Sequence, residues 1–309
     1  MRILCLGAGA VGGYFAGRLV EGGADVTFLV RDARKKNLTE HGLRIDSQFG
    51  NFAAPVKALT AAELSGTFDI VLLTCKAYDL PSAIEAIEGA VGDHSAVLPL
   101  LNGVAHIDIL NARFGRDRVL GGVARIASTL APDGTIKHLN DWRFITFGEQ
   151  DGTLSPRVLA LKAAFDKTSA VATATPEIMQ MMWEKLVHLA TASGMTAAMR
   201  ANIGEIARTR HGIALMTMFF ERNADIARAE GFELSPKFMD EFRQYISTVT
   251  STNAASMLRD IERHGPIEAD HVIGYMLERA EAHSIDPVLH RFVFTQLQAY
   301  EQRRAANRL

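Results

Sequence analysis

The sequence predicts an α/β fold, an N-terminal doubly wound parallel sheet followed by an all-helical C-terminal domain. Three observations carry this. The apolar run Ile3-Leu4-Cys5-Leu6 leads straight into the glycine-rich turn Gly7-Ala8-Gly9-Ala10-Val11-Gly12. Apolar strand-like runs then alternate with helical stretches through residue 174, as parallel strands joined by helical crossovers do. Beyond that point strand-like runs stop and helical periodicity takes over. The expected domains are residues 1–174 and 175–309.

Each element has its own warrant. After the glycine turn a helix is expected over 14–21, stopped by Gly22-Gly23, and a second strand over 25–30. Residues 68–75 form a near-continuous apolar run, as a central strand buried on both faces should. Residues 96–101 read as another strand, although Pro99 cannot donate to a ladder. Strands over 119–124 and 142–147 follow, antiparallel across the turn Pro132-Asp133-Gly134. In the second half, helices are expected to break at Gly194, Gly231, Gly265-Pro266 and Asp286-Pro287. The cluster Met179-Gln180-Met181-Met182-Trp183 reads as helix packed into a core.

A chain of 309 residues with 48% hydrophobic and 22% charged residues can bury a sizeable core, and has room for two domains. Its net charge of -2 offers no electrostatic attraction to nucleic acid or an acidic membrane surface. No apolar run approaches the roughly twenty residues needed to cross a bilayer, and no leader is expected ahead of a glycine turn that begins at residue 7. Cys5 and Cys75 both fall in expected central strands, as small buried hydrophobes rather than a disulfide or metal pair. A cytoplasmic setting fits these features.

A G-x-G-x-x-G between a strand and a helix is a dinucleotide fingerprint, which makes the sheet Rossmann-type. Gly7 permits the tight turn, Gly9 admits the pyrophosphate, and Gly12 lets helix and sheet approach. The helix start at Ala10 and Val11 offers free N–H groups to phosphate. The second strand ends at Leu29-Val30-Arg31. An acidic residue there would bind the ribose hydroxyls of NAD, whereas Arg31 suits the 2′-phosphate of NADP. Asp32 is the competing feature, since a shift of one residue would bring it to the ribose. Arg34, Lys35 and Lys36 add positive charge or coat the next helix. Lys76 and Asn102 follow later strands, at the sheet edge where ligands collect. Otherwise Lys76 is a loop lysine and Asn102-Gly103 a turn.

These features resemble the ketopantoate (2-dehydropantoate) reductases over essentially the whole chain. The likeness rests on the glycine turn, Arg31, Lys76 and Asn102, and on Trp183-Glu184-Lys185-Leu186. It continues through Ser256-Met257-Leu258-Arg259-Asp260-Ile261 and Glu268-Ala269-Asp270-His271-Val272-Ile273-Gly274. The resemblance implies NADPH-dependent reduction of a small 2-keto acid, without metal. It implies that Lys185 polarises and protonates the ketone, and that Glu268 contacts the substrate hydroxyl and the lysine. Ser256 would hold the substrate carboxylate, Asn102 would lie between nicotinamide and substrate, and a homodimer is compatible with it.

The helix carrying Lys185 departs from that pattern. The pantothenate-pathway enzymes carry asparagines four and eight residues after the lysine, on one helix face. Here Leu189 and Ser193 stand there, with Ser193-Gly194 in place of Asn-Pro. Leu189 cannot hydrogen-bond, so the preferred substrate should change or selectivity weaken, with Ser193 left as the polar group of the pair. His188 and Thr191 are the other polar groups nearby, and a packed helix histidine accounts for His188. Two other functions compete with the reductase reading. A β-hydroxyacid dehydrogenase would pair the lysine with an asparagine that Leu189 does not supply. A non-catalytic NADPH sensor would need neither Lys185, Ser256 nor Glu268.

Overall fold

The computed structural model describes residues 1–309 as two compact units, 1–101 with 106–179 and 102–105 with 180–309. The division lies a few residues beyond the expected 174/175, because Ile178 still packs on Gly148, where an added Cβ would lie 3.3 Å from the Ile178 Cβ. It also transfers the short segment 102–105 to the helical unit, which the sequence did not foretell.

The first unit begins β1 (Arg2–Leu6), α1 (Ala10–Glu21), β2 (Asp25–Leu29), α2 (Asp32–His41), β3 (Leu43–Asp46), β4 (Phe52–Ala54) and β5 (Lys57–Leu59). It continues β6 (Ile70–Leu73), α3 (Leu80–Ile87), β7 (Ala96–Pro99), α4 (Ala105–Phe114), β8 (Leu120–Leu130), β9 (Ile136–Glu149), α5 (Pro156–Phe165) and β10 (Val171–Ala174). Its first sheet has the order β5-β2-β1-β6-β7, every pair parallel. In β1, Ile3 pairs Val26 on one side and Ile70 on the other. The strand order reverses between β1 and β6, and such a switch point opens a ligand crevice at the carboxyl ends. Pro99 is accommodated as the last residue of β7, at the sheet's edge, where its missing N–H breaks no ladder.

A second sheet, β10-β9-β3-β4 with β8 antiparallel to β9, was only partly foreseen. The turn Pro132-Asp133-Gly134 does join an antiparallel pair, but β8 and β9 are far longer than 119–124 and 142–147. Helix α1 starts at Ala10 rather than 14 and packs between this sheet and the first. It is buried from Gly12 to Leu19 without a break. Its glycines allow the approach: a Cβ on Gly13 would lie 2.3 Å from Ile136 Cδ1, and one on Gly17 2.7 Å from Ile45 Cδ1. Cys5 is buried in β1, where desolvation pushes its thiol up to about 12. Cys75 lies past the end of β6 and is only half-buried, which corrects its expected place in the strand.

The helical unit contains α6 (Ile178–Met199), α7 (Ile203–Ala207), α8 (Gly212–Ala229), α9 (Pro236–Ser247) and α10 (Ser256–Glu262). A π-helical turn over Asp270–Gly274 then leads into α11 (Tyr275–Ala282), followed by α12 (Val288–Ala305). Gly194 does not break α6. Helices pack against it, and a Cβ there would lie 2.9 Å from Phe219 Cε1 and 3.0 Å from Ile273 Cδ1. The expected breaks at Gly231, Gly265-Pro266 and Asp286-Pro287 do fall between helices, the last of them leading into α12. The core is aromatic where α8 meets α9, with Phe220 and Phe242 ring centroids 4.4 Å apart. No helix is long and apolar enough to cross a membrane.

Candidate active site

In the first unit, β1, β2 and β6 deliver the candidate cofactor residues at their carboxyl ends. Gly7 has φ +96°, a conformation that other residues reach only with strain, and its N–H donates to Leu29 O at 2.9 Å. Thr74, just after β6, donates its hydroxyl to Leu6 O at 2.8 Å and braces the turn. A Cβ on Gly12 would lie 2.2 Å from Thr74 Oγ1 and 2.5 Å from Gly7 O, so this position tolerates only glycine. Gly9 is different. It is the N-cap of α1, makes no side-chain cap bond, and a Cβ there would meet nothing within 4 Å. The amides of Ala10, Val11 and Gly12 behind it open α1, where N–H groups have no intrahelical acceptor. An open glycine over unclaimed amides, with no acidic side chain in the helix's first turn, fits a dinucleotide pyrophosphate.

Arg31 is the N-cap residue of α2, with its side chain 84% exposed and Nη2 3.5 Å from Asp79 Oδ1. Asp32 begins α2, where its charge favours the positive end of the helix dipole. The neighbouring cations are committed elsewhere. Arg34 donates to Ala8 O, Asn37 Oδ1 and Gly134 O, and Lys35 pairs with Glu63. Lys76 is half-buried and caps the short turn Ala77–Asp79.

In the helical unit, Asn102 and Glu268 come together although 166 residues separate them, with Asn102 Nδ2 3.5 Å from Glu268 Oε2. Glu268 is 8% exposed and stands immediately before the helical stretch that contains the π-helical turn, where its carbonyl accepts from Val272 N at 3.2 Å. His271, which sequence reasoning quoted but gave no role, joins them. Its ring hydrogen-bonds the Asn102 backbone, and a Cβ on Gly103 would lie 3.0 Å from its Cδ2. Burial lowers its pKa, opposed by the nearby Glu268 charge and the backbone bond. The available signal was its place three residues after Glu268, a spacing that puts two helical side chains on one face.

Lys185 is half-buried on α6, two residues after Trp183, whose indole stacks on Phe232 at 5.3 Å. Leu189 is half-buried four residues on, and Ser193 is buried at 4% exposure, leaving its hydroxyl almost no free surface. Thr191 is wholly buried and bonds Val187 O and Asn223, so it faces the core. His188 packs against Phe242 and Tyr245, with ring centroids 4.9 and 5.3 Å away, as a packed helix histidine should. Ser256 is the exposed first residue of α10.

Residues 3–152 match the family model described as "Ketopantoate reductase PanE/ApbA", and residues 177–301 match that of its C-terminal domain. The chain belongs to the ketopantoate reductase family. It is 34% identical over 301 residues to an uncharacterized oxidoreductase, YkpB, of Bacillus subtilis (strain 168), covering 97% of this chain and 99% of the relative. It is 30% identical to a 2-dehydropantoate 2-reductase of Mesorhizobium japonicum, covering 90% and 91% respectively. The ternary structure of a D-mandelate dehydrogenase with NADH and anilino(oxo)acetate shares the ketopantoate reductase fold, with TM-score 0.86 at 21% identity and 99% coverage of both chains. The protein is thus an oxidoreductase of the ketopantoate reductase type, with a Rossmann-like domain and a helical C-terminal domain.

Proposed function

We propose that this ketopantoate reductase family member reduces a small 2-keto acid to the 2-hydroxy acid with NADPH, the substrate being 2-dehydropantoate or a close relative. The observation that carries the reading is the buried Glu268 carboxylate beside the Asn102 carboxamide, in a chain whose glycine turn is open at Gly9. Gly7, Gly9, Ala10, Val11 and Gly12 would hold the pyrophosphate, Arg31 the 2′-phosphate, and Lys76 would meet phosphate or ribose as a point charge. NADPH supplies a hydride when bound. The chain's residues must then bind the keto acid and supply a proton. Ser256 takes the substrate carboxylate, Asn102 lies between nicotinamide and substrate, and the Glu268 carboxylate accepts from the substrate hydroxyl and from Lys185. Lys185 gives a proton to the carbonyl oxygen as negative charge develops there, leaving a neutral amine that solvent reprotonates. These assignments rest on family membership together with residue chemistry.

Leu189 favours a second reading that differs in substrate alone. An apolar side chain at a position that is polar in the pantothenate-pathway enzymes suits a branched or aromatic 2-keto acid. The D-mandelate dehydrogenase that shares the fold carries anilino(oxo)acetate, an aromatic ligand with a 2-oxo carboxylate end. Oxidation of NADPH and of NADH, followed against 2-dehydropantoate, branched and aromatic 2-keto acids and 3-keto acids, tests both readings. Turnover of at least one 2-keto acid with NADPH preferred is expected. Tight NADPH binding with no turnover of any keto acid would sink both.

A further inference from the structure

The π-helical turn after Glu268 holds one residue of the 102–105 segment from two sides. Glu268 reaches the Asn102 side chain at 3.5 Å, and His271, three residues on, bonds the Asn102 main chain. That bond favours the protonated ring, so the ring N–H donates and the carbonyl accepts. The ring also lies directly on Gly103. A Cβ there would be 3.0 Å from His271 Cδ2 and 3.3 Å from His271 O. Gly103 has φ +87°, so glycine serves both the turn and the close approach. A π-helical turn widens the helix locally, and such turns recur at functional sites.

We propose that His271 is a positioning residue, whose ring fixes the Asn102 main chain so that the Asn102 carboxamide meets Glu268. The proposal rests on the assignment of Asn102 and Glu268 to the substrate side. Burial lowers the pKa of the imidazole, which suits a ring with one N–H to give and no charge to solvate. Small misplacement of substrate-orienting groups costs catalysis steeply.

The test compares wild type with His271→Phe, which keeps the ring but not the donor, and His271→Asn, which restores a donor. With the best 2-keto acid, His271→Phe should lower kcat/KM by about 10- to 100-fold, through a higher keto-acid KM and a lower kcat. NADPH affinity should stay within about twofold, and His271→Asn should recover most of the loss. Hydrogen exchange of the peptide spanning 102–105 should quicken about tenfold in His271→Phe alone. Unchanged exchange in that peptide, or unchanged kcat/KM in an active enzyme, overturns the proposal. If wild type reduces no keto acid, the functional reading fails, and the exchange result still decides whether His271 holds the segment.

Discussion

Two glycines in one turn serve separable ends. Gly12 is forced by packing against Thr74 and the Gly7 carbonyl, whereas nothing in the protein crowds Gly9. Gly12→Ala should therefore cost about 1–3 kcal/mol of stability and weaken NADPH binding as the turn shifts. Gly9→Ala should leave the melting temperature essentially unchanged and still weaken NADPH, because that space is empty in the protein and is the one proposed for the pyrophosphate. Thermal denaturation paired with a fluorescence titration of both variants checks this, and equal destabilisation by the two would contradict it. Arg31 makes a second case. Its pair with Asp79 is exposed, and exposed pairs hold little energy, so the guanidinium is available to a phosphate. Arg31→Ala should raise the Kd for NADPH about 10- to 100-fold, a charge-assisted hydrogen bond's worth, and that for NADH hardly at all. Equal losses would return the ribose to Asp32.

Elements of the helical unit are tied by buried polar side chains as well as by apolar contact. Asn223 of α8 donates to Thr191 of α6 at 3.0 Å, and its carbonyl oxygen lies 3.0 Å from His290 Nε2 of α12. His290 is fully buried and its Nδ1 has no partner, so a second proton would place an unsatisfied charge in the core. Burial lowers its pKa from 6.5 to about 4, with Asp286 opposing and Arg222 assisting. A base with a depressed folded pKa stabilises fully above pH 6.5, and loses that contribution as pH falls from 6.5 toward 4. The loss amounts to about 3 kcal/mol. Urea unfolding of wild type and His290→Gln at both ends of that window measures it. The stability gap between them should shrink on acidification, and a gap independent of pH would exclude His290 as the group responsible. The same scale explains what was hidden in the sequence. Strands β1, β2 and β6 were legible because parallel strands buried on both faces are apolar throughout. Strands β3, β4 and β5 have three or four residues of mixed burial, too short for a period to show. Gly194 looked like a helix end, yet its lack of a side chain is what lets Phe219 and Ile273 pack there.

Across the whole molecule, the candidate site was legible only where chemistry was local. The glycine turn and Arg31 declare themselves within about thirty residues of sequence, since strand, turn and helix are consecutive. Asn102 and Glu268 could be paired in advance only through the resemblance to the ketopantoate reductases, because no periodicity links positions 166 residues apart. His271 carried only its three-residue spacing from Glu268 as a signal, and its contact with Gly103, far away in sequence, had none. Leu189 was visible from the first as the departure on which the proposed substrate preference turns. The central claim is that Lys185 is the proton donor of a reductase, and one comparison tests it most directly: NADPH affinity and keto-acid turnover in wild type and Lys185→Ala. The account predicts a Kd for NADPH within about threefold of wild type and turnover reduced by at least about 10²-fold. Undiminished turnover in Lys185→Ala would contradict it.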